Sequence, residues 1–164
     1  MEVVQVREEE MPILAELANG IWHEYFPCIL SEEQIDYMVE KFQSLKAMTE
    51  QIEKQGYEYY FLRDNEKNVG YMGIHPEEEK LFLSKLYVTK DNRGKGYSSN
   101  AFSFLEQYCR EKGKKAIWLT VNKYNDHTIE VYRHRGFQVI KSQVSDIGNG
   151  YVMDDYVMEK EIQC

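Results

Sequence analysis

The stretch NRGKGYSS, residues 92–99, gathers two glycines, an arginine, a lysine and two serines. A strand-like run (LFLSKLYV, 81–88) precedes it and a helix-like run (NAFSFLEQYCREK, 100–112) follows. Glycines let a backbone approach a ligand closely. A turn that opens a helix presents free backbone N–H groups and the positive end of the helix dipole together, a combination that binds phosphate. Arg93 and Lys95 add charge, and Ser98 and Ser99 add donors. Two nucleotide sites do not fit. The nucleoside-triphosphate loop places four residues between its glycines, whereas Lys95 alone separates Gly94 from Gly96. The dinucleotide fingerprint needs three glycines in an early strand–helix unit, whereas this turn has two and comes late.

Charge is distributed to match. The chain of 164 residues carries a net charge of -8, which argues against sequence-independent nucleic-acid binding. Residues 1–80 hold 7 basic and 18 acidic groups, residues 81–135 hold 11 and 5, and residues 136–164 hold 2 and 5. The basic surplus therefore lies in the segment with the glycine turn, where an anionic ligand would be drawn.

The elements that must position this turn follow from periodicity. Residues 3–7 alternate as an edge strand. Leu14, Leu17, Ala18, Ile21 and Trp22 recur at helical spacing, which predicts a helix over 8–25 with acidic residues at its start and Pro12 in its first turn. Ser31 and Gln34 form a capping box for a second helix, and a third, or its extension, runs over 44–55. Strands are expected at 57–63, 69–75, 80–89 and 115–121. Between the last two lies the helix after the turn, closed by Gly113. Asn125 and Asp126 open a short helix that ends at Gly136. Residues 137–144 and 151–160 form a closing hairpin, turned at Gly148-Asn149-Gly150. The pattern predicts one α/β domain over 1–164, of the mixed α+β type, in which helices cover both faces of one mixed, mostly antiparallel sheet.

The ordered spacing resembles the GNAT family of N-acetyltransferases. That family's coenzyme A turn reads Arg or Gln, two residues, Gly, one residue, then Gly or Ala. Arg93-Gly94-Lys95-Gly96-Tyr97-Ser98 matches it except at Ser98. Leu86-Tyr87-Val88 stands where the family has its preceding strand, and Asn122, Asn125, Tyr132 and Gly136-Phe137 follow in family order. Within the family, the turn, the Ser31–Gln34 cap and the ending GNGYVMDDYVMEK are similar to the PaiA-like polyamine acetyltransferases.

The resemblance implies acetyl transfer from acetyl-CoA, with coenzyme A as the carrier, to a primary amine by direct attack in a ternary complex. It implies a pyrophosphate anchor at Arg93, Gly94, Lys95, Gly96, Tyr97, Ser98 and Ser99. It implies a pantetheine edge at Leu86, Tyr87 and Val88, where the fourth and fifth strands splay, and a cofactor contact at Asn125 with Asn122 as runner-up. Tyr132 is the expected general acid, because a phenol with a pKa of roughly 10 is protonated at neutral pH. No base is visible on the strand before the turn; His23, Glu24 and His75 are candidates elsewhere. Trp22, His23, Glu24 and Tyr25, near Phe26, Glu32, Glu33 and Asp36, form an aromatic and acidic acceptor region that suits a small amine or polyamine. The alternatives are a protein or peptide amine, and a non-catalytic acyl-CoA sensor.

Three distant cysteines, Cys28, Cys109 and Cys164, argue against a disulfide framework and for a reducing cytoplasm. No metal site is expected. The acidic start does not read as a signal peptide, and no run is apolar enough to span a membrane. Many family members pair through their last strands, which makes a homodimer the oligomer to test.

Overall fold

The computed structural model describes residues 1–163; Cys164 lies outside them. Its strands are β1 (Glu2–Gln5), β2 (Glu58–Asp64), β3 (Lys67–Pro76), β4 (Lys80–Val88), β5 (Ala116–Asn122), β6 (Gln138–Gly148) and β7 (Tyr151–Glu161). They form a seven-stranded sheet in the order β1-β2-β3-β4-β5-β7-β6. Every neighbouring pair is antiparallel except β4 and β5. Helices α1 (Met11–Tyr25), α2 (Glu32–Met38) and α3 (Leu45–Gln55) lie between β1 and β2, while α4 (Tyr97–Lys112) and α5 (Asp126–His134) flank β5. No helix among the described residues is long and apolar enough to cross a membrane.

Strand alternation decides which helices go where. On β2, Tyr59 and Phe61 pack against Leu14, Ala18, Ile21 and Met48 of α1 and α3. Their neighbours Tyr60 and Leu62 point the other way, into the cluster that holds Ala101, Phe102, Leu105 and Cys109 of α4. The apolar stripe of each helix thus covers one face of the sheet. The hairpin turn is Asn149-Gly150, both at positive φ (54° and 79°), as a two-residue loop between twisted strands requires.

Two segments depart from the sequence pattern. Residues 8–10 form a 3-10 turn rather than the first turn of α1, so Pro12 occupies the helix start, where it removes no hydrogen bond. The second helix does not run on as α-helix. Residues Val39–Gln43 form a π turn, and Ser44 then caps α3 through the Ala47 amide at 3.1 Å. The cap expected at Ser31 is present, with Oγ accepting from the Gln34 amide at 3.2 Å. The Gln34 side chain instead reaches the Val152 carbonyl of β7 at 3.4 Å.

The sheet opens where β4 meets β5. Their pairing covers Lys80, Leu81 and Phe82 opposite Ala116, Ile117 and Trp118. Just beyond, β4 bulges against β3: Ile74 pairs with Leu83 but Gly73 pairs with Lys85, which leaves Ser84 as an extra residue. A bulge bends its strand and resets side-chain parity. Phe82 and Ser84 face the α1 side before it, and Lys85 and Tyr87 face that same side after it. The β5 side of β4 beyond Phe82 therefore has no strand partner.

Candidate active site

Two cavities lie on opposite faces of this opening. The first, of about 280 Å³, is enclosed by α1, α2 and the π turn over β4, β5 and β7; the second, of similar size, lies between the glycine turn, α4 and α5. Tyr25, Thr128 and Tyr132 line both, so the two meet there.

The second cavity is built from the glycine turn. Gly94 and Gly96 adopt left-handed φ values of 78° and 85°, and a Cβ added at either would meet no heavy atom within 4 Å. Both conformations disfavour any residue with a side chain. Gly96 precedes the first residue of α4, and no side chain caps that helix. The amides of its first turn are thus left for a ligand. Leu86, Val88, Arg93, Gly94, Gly96, Tyr97, Ser98 and Ser99 line this cavity. Lys95 does not; its ammonium donates to Oδ1 of the half-buried Asn92 at 3.5 Å. Arg93 Nε donates to the Val88 carbonyl at 3.1 Å, and its guanidinium lies 4.6 Å over the Tyr25 ring. The Tyr97 hydroxyl donates to Asp64 at 2.6 Å, and Arg135, from the end of α5, donates to Ser99. Open space, free amides and cationic side chains fit the pyrophosphate of coenzyme A.

Tyr132 projects from α5 between the cavities. Its ring packs on Phe102 and Phe137 at 5.9 and 5.8 Å. Burial pushes its phenol well above the usual range, so the hydroxyl is protonated at any physiological pH. Asn125 has two partners within the chain. Its Oδ1 accepts from the Thr128 amide at 3.4 Å, capping α5, and its Nδ2 donates to the Tyr25 hydroxyl at 3.2 Å. That hydroxyl also bonds Thr128 Oγ1 at 2.5 Å. Asn125 and Asn122 line the first cavity rather than the second.

The first cavity combines aromatic walls with polar side chains. Trp22, Tyr25, Phe26, Phe42, Phe82 and Tyr87 line it. Trp22 packs on Phe26 at 4.4 Å and edge-on to Tyr87 at 5.7 Å. Helical phase separates the four α1 residues proposed from sequence. Trp22 and Tyr25, three apart, face the cavity. His23 turns outward and bonds Asp36 at 2.6 Å, which pushes its imidazole pKa up. Glu24 lines a separate shallow cleft and accepts from the Lys90 amide at 3.3 Å. Glu32, Glu33 and Asp36 are also on the outside. His75 packs on Tyr57 at 5.0 Å and lines neither cavity.

The acid in this cavity comes from the opposite wall. Asp155 of β7 stands opposite Asn122 of β5, is 3% exposed and opens into the cavity. Burial first, and the charge of Asp154 second, push its carboxyl up to about 6, against a smaller opposing effect of Lys123. A carboxylate between Met153 and Val157 on one strand face was a signal available in the sequence. Lys85 is the other buried charged residue lining this cavity. Its ammonium donates to the Phe42 carbonyl at 2.6 Å, to Gln51 at 2.9 Å and to Tyr59. Burial pushes it down to about 7. These bonds tie the π turn and α3 to β4.

Residues 15–137 match the acetyltransferase (GNAT) family. The chain is 22% identical over 99% of its length to an uncharacterized N-acetyltransferase of Lactobacillus delbrueckii subsp. lactis, 98% of which is covered. It is 32% identical to the uncharacterized N-acetyltransferase YycN of Bacillus subtilis over 53% of this chain and 59% of that one. Among solved structures it is similar to the PaiA N-acetyltransferase of Thermoplasma acidophilum in complex with coenzyme A, with a TM-score of 0.81 and 21% identity over 98% of both chains. It is also similar to an aminoglycoside 6'-acetyltransferase type Ii, with a TM-score of 0.71 and 17% identity over 100% of this chain and 99% of that one. The chain belongs to the acetyltransferase (GNAT) family and, with it, to the acetyl-CoA-dependent N-acetyltransferases.

Proposed function

We propose that the protein acetylates a small primary amine, with a polyamine favoured, by direct attack in a ternary complex. The observation that carries this reading is the junction of the two cavities at Tyr25, Thr128 and Tyr132, across the opening between β4 and β5. Donor and acceptor can enter from opposite faces and meet there. Cys28 and Cys109 line neither cavity, so among the described residues no thiol stands at the junction to carry the acetyl group. The aromatic walls and the buried carboxylate suit a cation, and the size of the cavity suits a small molecule. The similarity to a PaiA N-acetyltransferase adds weight to the amine class.

Acetyl-CoA, when bound, supplies an electrophilic thioester carbonyl and a thiolate leaving group. The amides of 94–99 and the charge of Arg93 hold its pyrophosphate. The β4 edge at Leu86, Tyr87 and Val88, which has no strand partner on the β5 side, would hold the pantetheine arm, and one of its N–H groups would face the thioester oxygen. Tyr132 gives its phenolic proton to the departing sulfur. Tyr25 closes the wall between the cavities, and Asn125 holds Tyr25 in place. The cytoplasm is the compartment proposed for this activity, where the Cys28 and Cys109 thiols stay reduced. A homodimer would run along β6, the sheet edge on which Val139, Ile140 and Val144 are exposed; sedimentation equilibrium measures it.

Thiol release from acetyl-CoA across spermidine, spermine, diamines, amino acids, aminoglycosides and a lysine peptide tests the reading. Turnover with the small amines supports it. Turnover confined to the peptide overturns the acceptor class, and silence across the panel with acetyl-CoA still bound favours a sensor.

A further inference from the structure

Asp155 is more than nine-tenths buried, yet no hydrogen bond or ion pair engages its carboxylate among the described residues. It lies on the acceptor side, on the same strand face as Met153 and Val157, and opens into the cavity beside Tyr87 and Asn122. A buried charge without a partner is costly. Such a group persists where a ligand supplies the partner or the chemistry needs the proton.

We propose that Asp155 receives the acceptor: its carboxylate holds the ammonium group of the amine in the cavity and takes one of its protons. This rests on the amine reading above. The groups that face or influence Asp155 leave this task to it. Lys85 lines the same cavity, but its three donors go to Phe42, Gln51 and Tyr59. Lys123 is paired with Asp154 at 2.8 Å. Tyr87 from β4, Tyr132 from α5 and Tyr25 from α1 are phenols. Asn122 and Asn125 do not titrate.

The protons balance. The ammonium loses one proton to Asp155 Oδ, leaving a neutral amine and a carboxylic acid. The nitrogen lone pair forms the C–N bond to the acetyl carbonyl carbon while the C–S bond breaks, and its electron pair leaves on sulfur. Sulfur takes the Tyr132 phenolic proton, the second nitrogen proton restores Tyr132, and Asp155 releases its own to solvent. The net products are one amide, one thiol and one proton. The raised pKa of Asp155 brings it nearer to that of an amine than an exposed carboxylate would be, which favours the transfer.

The test is Asp155→Asn, which keeps shape and removes charge. Calorimetry should find acetyl-CoA affinity within twofold of wild type, and spermidine affinity for the CoA-saturated protein at least tenfold weaker. In the thiol-release assay kcat/KM should fall at least 100-fold, and the fall in wild-type kcat/KM below about pH 6 should vanish. Wild-type-like spermidine binding and turnover in D155N would overturn the proposal alone. A wild type that binds acetyl-CoA but neither binds nor acetylates spermidine, 1,4-diaminobutane or kanamycin would overturn it together with the amine reading. Should D155N fail to fold, carboxyl-carbon NMR of the wild type decides. Spermidine should lower the midpoint of a carboxyl that titrates near 6, and an unchanged midpoint overturns the proposal.

Discussion

The Arg93 guanidinium lies over the Tyr25 ring, 4.6 Å from its centre, and the Tyr25 hydroxyl bonds Thr128 at 2.5 Å. One side chain from the end of α1 thereby joins the glycine turn to the start of α5, and it stands where the two cavities meet. A cation–π contact of this kind contributes about 0.5–2 kcal/mol. Tyr25→Ala should weaken acetyl-CoA binding roughly tenfold in calorimetry, since Arg93 loses its platform. Tyr25→Phe keeps the platform and should bind acetyl-CoA like wild type, while the loosened α5 lowers turnover. Equal affinity of the Ala variant would remove Tyr25 from cofactor binding.

Gly96 precedes α4 at a φ of 85°, with open space around it. A substitution there meets no clash inside the protein. Its cost is backbone strain of about 1–3 kcal/mol and a side chain standing in the cavity. Gly96→Val should lower the melting temperature by roughly 2–8 °C and reduce acetyl-CoA affinity by more than tenfold. A calorimetric titration that matched wild type would place the phosphates elsewhere.

Asp155 leaves a mark on stability that is independent of catalysis. Burial pushes its carboxyl up to about 6 in the folded chain, above the ordinary aspartate value of about 3.9. Above 6 the folded state holds a charge that burial disfavours, and between 6 and about 4 it binds the proton more readily than the unfolded chain does. Its destabilisation is therefore full at neutral pH and fades as pH falls through that window. Asp155→Asn should raise stability at pH 7.5 by about 2 kcal/mol, and the gain should shrink towards pH 4. Urea titrations of both proteins across the range measure this. A gain that grows on acidification would contradict the burial account.

The parts of the site that depend on near neighbours in the chain could be read before the fold was known. The strand, the glycine turn and the helix after it are contiguous. Asn125, Tyr132 and Gly136 belong to a single short helix with its cap and its end. The grouping of Trp22, His23, Glu24 and Tyr25 as one acceptor region overlooks helical phase: only Trp22 and Tyr25 line the first cavity, as the buried stripe through Leu14, Ala18, Ile21 and Trp22 implies. The acid of the acceptor cavity was less accessible. Asp155 enters only once β7 pairs with β5 and the bulge at Ser84 opens β4, and both depend on contacts far apart in sequence. The π turn was hidden for a related reason. The acceptance at the Phe42 carbonyl of bonds from Lys85 and Gln51 is tertiary, and the local pattern reads as ordinary helix.

We propose that Tyr132, standing between the two cavities, supplies the proton to the departing thiolate. Steady-state turnover of Tyr132→Phe, alongside calorimetric affinity for acetyl-CoA, tests it most directly. kcat should be at least tenfold lower with the affinity unchanged, because the ring packing on Phe102 and Phe137 is kept while the proton is lost. Turnover equal to wild type would contradict it.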